Sequence, residues 1–135
     1  MTRENVDLIR QGVAALNRRD TGGMLATLHP EVRLEPLKAV LEGTVYEGHQ
    51  GLRDWLEEIA EDWESQDVEV HEIHELESGA VLLEARLHIR YRGSGVEIEE
   101  LGAWLCEFRD GLVSRIRFYR DRESALAAAG AAGAT

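Results

Sequence analysis

Cysteine is almost absent from this 135-residue chain, and the single Cys106 excludes an internal disulfide. Proline is scarce too. Pro30 and Pro36 are the only two, and no proline- or serine-rich stretch reads as a linker between domains. Basic side chains are outnumbered, fifteen against twenty-six acidic ones, for a net charge of −11. That balance argues against a protein that grips phosphate backbones, and against attraction to an anionic membrane surface. No apolar run approaches the ~20 residues needed to span a bilayer. Met1-Thr2-Arg3-Glu4-Asn5 begins a polar helical pattern rather than a signal peptide. Phosphate-binding loops, dinucleotide fingerprints and serine nucleophile elbows are missing as well, so no cofactor is expected. His71-Glu72-Ile73-His74 does not match the helical zinc-protease motif, and on a strand residues three apart point to opposite faces. The expectation is no metal site, no nucleic acid and no membrane, in a cytoplasmic single-domain protein over 1–135. Its ordered core covers about 4–129 and its tail 130–135.

What is present is a well-mixed globular composition, 44% apolar and 30% charged. A chain this long buries enough surface to fold without a staple. The acidity is concentrated: residues 31–79 carry fifteen acidic and three basic side chains.

Thr2 or Asn5 can cap a first helix with apolar positions Val6, Ile9, Val13 and Leu16. Asp20 can cap a second, which His29-Pro30 ends. Val32–Glu35 reads as a short strand, and 37–48 as a loop. A third helix begins at His49 with the apolar stripe Leu52, Trp55, Leu56, Ile59 and Trp63. After Ser65 the period becomes two, giving four antiparallel strands over 67–77, 80–92, 96–109 and 112–120. Asp121 caps a last helix over 122–129.

Turn chemistry sets the registers. A two-residue turn at Gly93-Ser94 pairs Leu83 with Trp104, and His88 with Glu99. A three-residue loop, Arg109-Asp110-Gly111, aligns Phe108 with Leu112 and Trp104 with Ile116. Helices followed by a run of strands make an α+β fold, with the helices on one face of a bent sheet.

Three segments carry a family resemblance. They are Val13–Asp20, Tyr46-Glu47-Gly48-His49-Gln50-Gly51-Leu52, and Trp104–Gly111 leading into Ile116–Asp121. In this order they resemble the SnoaL-like branch of the nuclear transport factor 2-like superfamily, over roughly residues 4–129. The resemblance implies a cone-shaped, bent antiparallel sheet with three N-terminal helices enclosing a pocket, and often a homodimer through the convex face. It also implies chemistry of the ketosteroid isomerase or polyketide cyclase kind, although fold alone assigns none. By resemblance, Glu35-Pro36 stands at the place of the isomerase general base. Gly12 stands at that of the oxyanion tyrosine, and a position near Trp104 at that of the protonated aspartic acid. Both oxyanion donors are therefore missing. Asp121 lies in the stretch where the cyclases keep an acid/base aspartate.

The candidate site follows. Glu35 is a candidate base, against the plainer reading of a rim carboxylate. Glu100 sits on the apolar face of its strand, as a second pocket carboxylate or as a structural partner of Arg120. Tyr46, Trp55, Trp104 and Phe118 are candidate ligand contacts. Trp104 beside Gly102 leaves room for a ligand. Val113, Leu105 and Leu101 form a convex apolar patch suited to a dimer. The expected partner is a small apolar or carbonyl-containing molecule. It is bound, and in one reading turned over by a cofactor-independent isomerase or cyclase. In the other the chain is a non-catalytic binding or dimerisation module.

Overall fold

Two helices start where a carboxylate meets a free backbone N–H. Asp20 accepts from the amide of Gly23 at 2.9 Å, and Asp121 from that of Ser124 at 2.8 Å. The computed structural model describes residues 2–133, with the side chains of 4–37 and 41–130. In order, the elements are α1 (Thr2–Asn17), α2 (Thr21–Leu25), β1 (Leu28–Glu35), α3 (Leu37–Glu42), β2 (Tyr46–Glu47) and α4 (Gly48–Asp62). There follow β3 (Trp63–Glu75), β4 (Val81–Tyr91), β5 (Glu97–Arg109), β6 (Leu112–Tyr119) and α5 (Arg122–Gly133). The strands form one curved, unclosed sheet in the order β2-β1-β6-β5-β4-β3. Every neighbouring pair is antiparallel except β1 with β6, which run parallel.

The expected loop is structured. The stretch after Pro36 forms α3 and the short β2. Strand β1 starts at Leu28, four residues before the expected strand. Trp63 is the first residue of β3 rather than the end of a helical stripe. Helix α4 runs straight into that strand, and Arg92 caps its end: Nε donates to the Ala60 carbonyl at 3.0 Å. Helix α5 continues to Gly133, past the expected end at 129.

The β4–β5 register is the expected one, with Leu83 opposite Trp104 and His88 opposite Glu99. Its turn is longer, since the Gly95 amide donates to the Tyr91 carbonyl. The β5–β6 hairpin differs more. Asp110 and Gly111 both have positive φ (55° and 76°), so they form a two-residue turn that pairs Arg109 with Leu112. A bulge then shifts the ladder, leaving Trp104 opposite Phe118 rather than Ile116. The bulge turns Val113 inward, where it is buried, instead of onto the convex face. The expected pairing of Glu100 with Arg120 is lost as well, because β6 ends at Tyr119.

The convex face is not helix-free. Helix α5 buries Ala125 against Leu82 and Ala103 there. Leu105 is buried within the protomer, and only Leu101 of the expected dimer patch is exposed. No helix among the described residues is long and apolar enough to cross a membrane.

Candidate functional site

The inner face of the sheet and helices α1, α2 and α4 do not fill the space between them. A cavity of about 150 Å³ remains. Its wall is almost wholly apolar. Helix α1 contributes Leu8, Ile9, Val13 and Leu16, and α4 contributes Leu52 and Trp55. The sheet adds Val68, Leu83, Leu87, Trp104, Cys106, Val113 and Ile116. Strand alternation puts these side chains inward, since even positions of β5 and odd positions of β4 share that face.

Two close approaches lie behind the wall. A Cβ on Gly102 would lie 2.3 Å from the Phe118 ring, so Phe118 occupies the room that the sequence seemed to offer a ligand. Phe118 then meets Trp104 edge-on, with centroids 5.2 Å apart, and holds that indole in place. At the other end a Cβ on Gly51 would lie 2.9 Å from the Tyr46 backbone, which explains one glycine of the Tyr46–Leu52 segment. His49 in the same segment is hydrogen-bonding distance (3.0 Å) from the Leu28 carbonyl.

Of the candidate ligand contacts, Trp55 and Trp104 line the cavity. Phe118 stands behind Trp104, and Tyr46 is buried between α4 and β1, away from the wall. The Tyr46 hydroxyl lies beside the Glu58 carboxylate. Burial first, and the Glu58 carboxylate beside it second, push its pKa up to about 12.

The two candidate acids part company. Glu35 reaches the cavity edge, but its carboxylate is only 12% exposed and lies among arginines. Arg115 Nε donates to Oε2 at 2.9 Å, Arg33 Nε stands 3.5 Å from that oxygen, and Arg117 Nε stands 3.8 Å from Oε1. The hydrogen bond to Glu35 raises the pKa of Arg115 above its ordinary value. The ladder accounts for the clamp: Arg33 and Glu35 lie opposite Arg115 and Arg117 on the outer face, while Leu34 and Ile116 point in. Glu100 is half-buried opposite Leu87 and does not line the cavity.

Other candidates have structural duties. Burial pushes the Cys106 thiol up to about 12, which keeps it from being a thiolate nucleophile. Asp121 is an exposed cap, and its backbone hydrogen bond with Ser124 lowers its pKa. A bulge between Val70 and Glu72 shifts the β3 register. Beyond it, Glu72, His74 and Glu84 bring ligand-type atoms within 4.8 Å of one another. His74 and Arg122 already engage Glu84, at 3.0 and 3.7 Å. Sequence reading missed Gln66, an inward-facing residue of β3 that is 8% exposed and lines the cavity. Its alternation with Val68 and Val70 was the available signal.

A SnoaL-like domain family model matches residues 9–116. The chain belongs to the SnoaL-like domain family. No curated protein matches it. Among solved structures, this SnoaL-like chain is similar to an NTF2-like protein of unknown function from Burkholderia pseudomallei. That pair shares 18% identity and a TM-score of 0.77, over 92% of this chain and 95% of that one. TerC, co-crystallised with polyporic acid, shares 20% identity with a TM-score of 0.77, over 93% and 96% of the two chains. RV0760c from Mycobacterium tuberculosis, in complex with estradiol-17β-hemisuccinate, shares 17% identity with a TM-score of 0.72, over 89% and 95%. At these identities the likeness concerns the fold.

Proposed function

We propose that this SnoaL-like domain binds a small, mostly apolar molecule in the inner cavity. The apolar wall with Trp55 and Trp104 on it is the observation that carries the reading. Two flat rings and a ring of aliphatic side chains gain by removing an apolar ligand from water, at about 25 cal/mol per Å² buried. Concave, apolar and mostly preformed is the usual character of a small-molecule site. The ligands named for TerC and RV0760c, both small organic molecules, support it as analogy.

A catalytic reading has one foothold. Glu35 touches the cavity edge at the place where the family's isomerases keep their base. In that reading Glu35 accepts a proton from a carbonyl compound during isomerisation or ring closure. It must first give up its bond to Arg115. The same bond favours binding without turnover.

The test is an apolar fluorescent probe titrated into the wild type, Ile116→Phe and Glu35→Gln. Filling the cavity with Ile116→Phe should weaken binding at least tenfold with circular dichroism unchanged, while Glu35→Gln should leave affinity alone. Binding indifferent to Ile116→Phe and to Val68→Phe would place the probe elsewhere. Turnover of a carbonyl substrate that Glu35→Gln abolishes would promote the catalytic reading.

A further inference from the structure

The cavity wall carries few polar side chains, and their partners differ. The Thr27 hydroxyl donates to the Met24 carbonyl at 2.8 Å, and Glu35 is bonded to Arg115. Gln66 has no such partner. It faces inward on β3, opposite Ile89 and in line with Val68, and lines the cavity while more than nine-tenths buried. Among the described residues its amide enters no hydrogen bond with the protein. The indoles on the wall can only donate, so Gln66 is the one unpartnered side chain there that both donates and accepts. A ligand oxygen beside this amide would give it the partner that the protein does not supply.

A shared wall adds a second constraint. Leu37 and Trp63 line the inner cavity and also an outer pocket of about 480 Å³. That outer pocket carries Glu42, Glu61 and Asp62. Its one arginine, Arg92, is tied to the Ala60 carbonyl. Among the described residues, an anion approaching by this route meets like charge outside and no lysine or arginine on the inner wall.

The geometry points to Gln66 as the polar anchor of an uncharged ligand: an apolar skeleton bearing a single hydroxyl or carbonyl oxygen, entering past Leu37 and Trp63. The inference rests on the cavity-binding reading and narrows its ligand class. Gln66 is a specificity-determining residue here and no proton moves.

Equilibrium dialysis with three probes on one skeleton tests it at neutral pH: 2-naphthol, 2-methylnaphthalene and 2-naphthoate. In the wild type, 2-naphthol should bind about three- to tenfold tighter than 2-methylnaphthalene, the scale of one neutral hydrogen bond. 2-Naphthoate should bind weakest. Gln66→Met keeps the side-chain shape and should erase the gap by weakening the naphthol alone. Gln66→Leu serves if the first variant does not fold. Equal affinity for the first two probes, or a gap that survives both substitutions, overturns the anchor while leaving cavity binding intact. Naphthoate binding tighter than naphthol overturns the uncharged-ligand class. Failure of all three to bind overturns the cavity reading, and this inference with it.

Discussion

The two faces of one sheet obey opposite rules. On the inner face, β4, β5 and β6 present Leu83, Leu87, Trp104, Cys106 and Ile116 to a cavity with one unpartnered amide. On the outer face the same strands carry a lattice of ion pairs. Arg86 meets Glu99 at 3.1 Å, and Arg90 meets Glu97 at 3.2 Å. His88 lies between Glu69 at 3.1 Å and Glu99 at 2.9 Å. Charge on the outer face is matched pair by pair and half in water, so each pair contributes only ~0–1 kcal/mol. Polar atoms on the inner face are few and shielded, so each one bears on what the protein can bind. Glu35 belongs to the outer rule although its chain position suggests the inner one.

Four predictions press on that contrast. The largest effect is expected from Gly102→Val, because the new side chain meets the buried Phe118 ring, which is packed on Trp104. Overpacking of this kind should cost about 3 kcal/mol or more in urea unfolding, and a near-neutral result would mean the ring moves freely. Glu35→Gln comes next. Losing the carboxylate leaves Arg33, Arg115 and Arg117 facing one another, and about 1–3 kcal/mol of stability should go with it. An unchanged melting temperature would show the clamp to be idle.

The third prediction concerns alkali. Tyr46 and Cys106 are buried, and their pKa values rise from 10 and 9 to about 12. The fold therefore holds their protons more tightly than the unfolded chain does. Their contribution is complete below about pH 9 and is lost as pH climbs towards about 12. Melting curves of Tyr46→Phe and Cys106→Ala should fall less steeply over that range than the wild type, and parallel curves would contradict it. The smallest effect is expected from Arg90→Ala. It breaks an outer pair whose side chains are 46% and 68% exposed, and stability should change by no more than about 0.5 kcal/mol.

Much of this was legible in the sequence, for a physical reason. Strand alternation is local, so the inward set Leu83, Trp104 and Ile116 and the outward set Arg86, His88 and Glu99 could be assigned before any coordinates. The segment order that resembles the family gave the fold. What escaped was register and depth. A bulge in β6 cannot be read from residue type, and it moved Phe118 opposite Trp104 and turned Val113 inward. The parallel pairing of β1 with β6 depends on strands far apart in sequence, and it is what hands Glu35 to Arg115 and Arg117. Leu105 looked like a dimer contact because nothing local says that α5 comes to lie on that face. Gln66 was passed over because a lone glutamine in an acidic stretch resembles surface.

The central claim is that the inner face, and not the outer, is where this protein meets its ligand. Amide and indole NMR spectra recorded during a titration with 2-naphthol test it most directly. The indole N–H signals of Trp55 and Trp104 and the side-chain amide of Gln66 should shift together and saturate, while the backbone signals of Arg86, Glu97 and Glu99 stay in place. Saturable shifts confined to the outer strand positions, with the two indoles unmoved, would contradict the account.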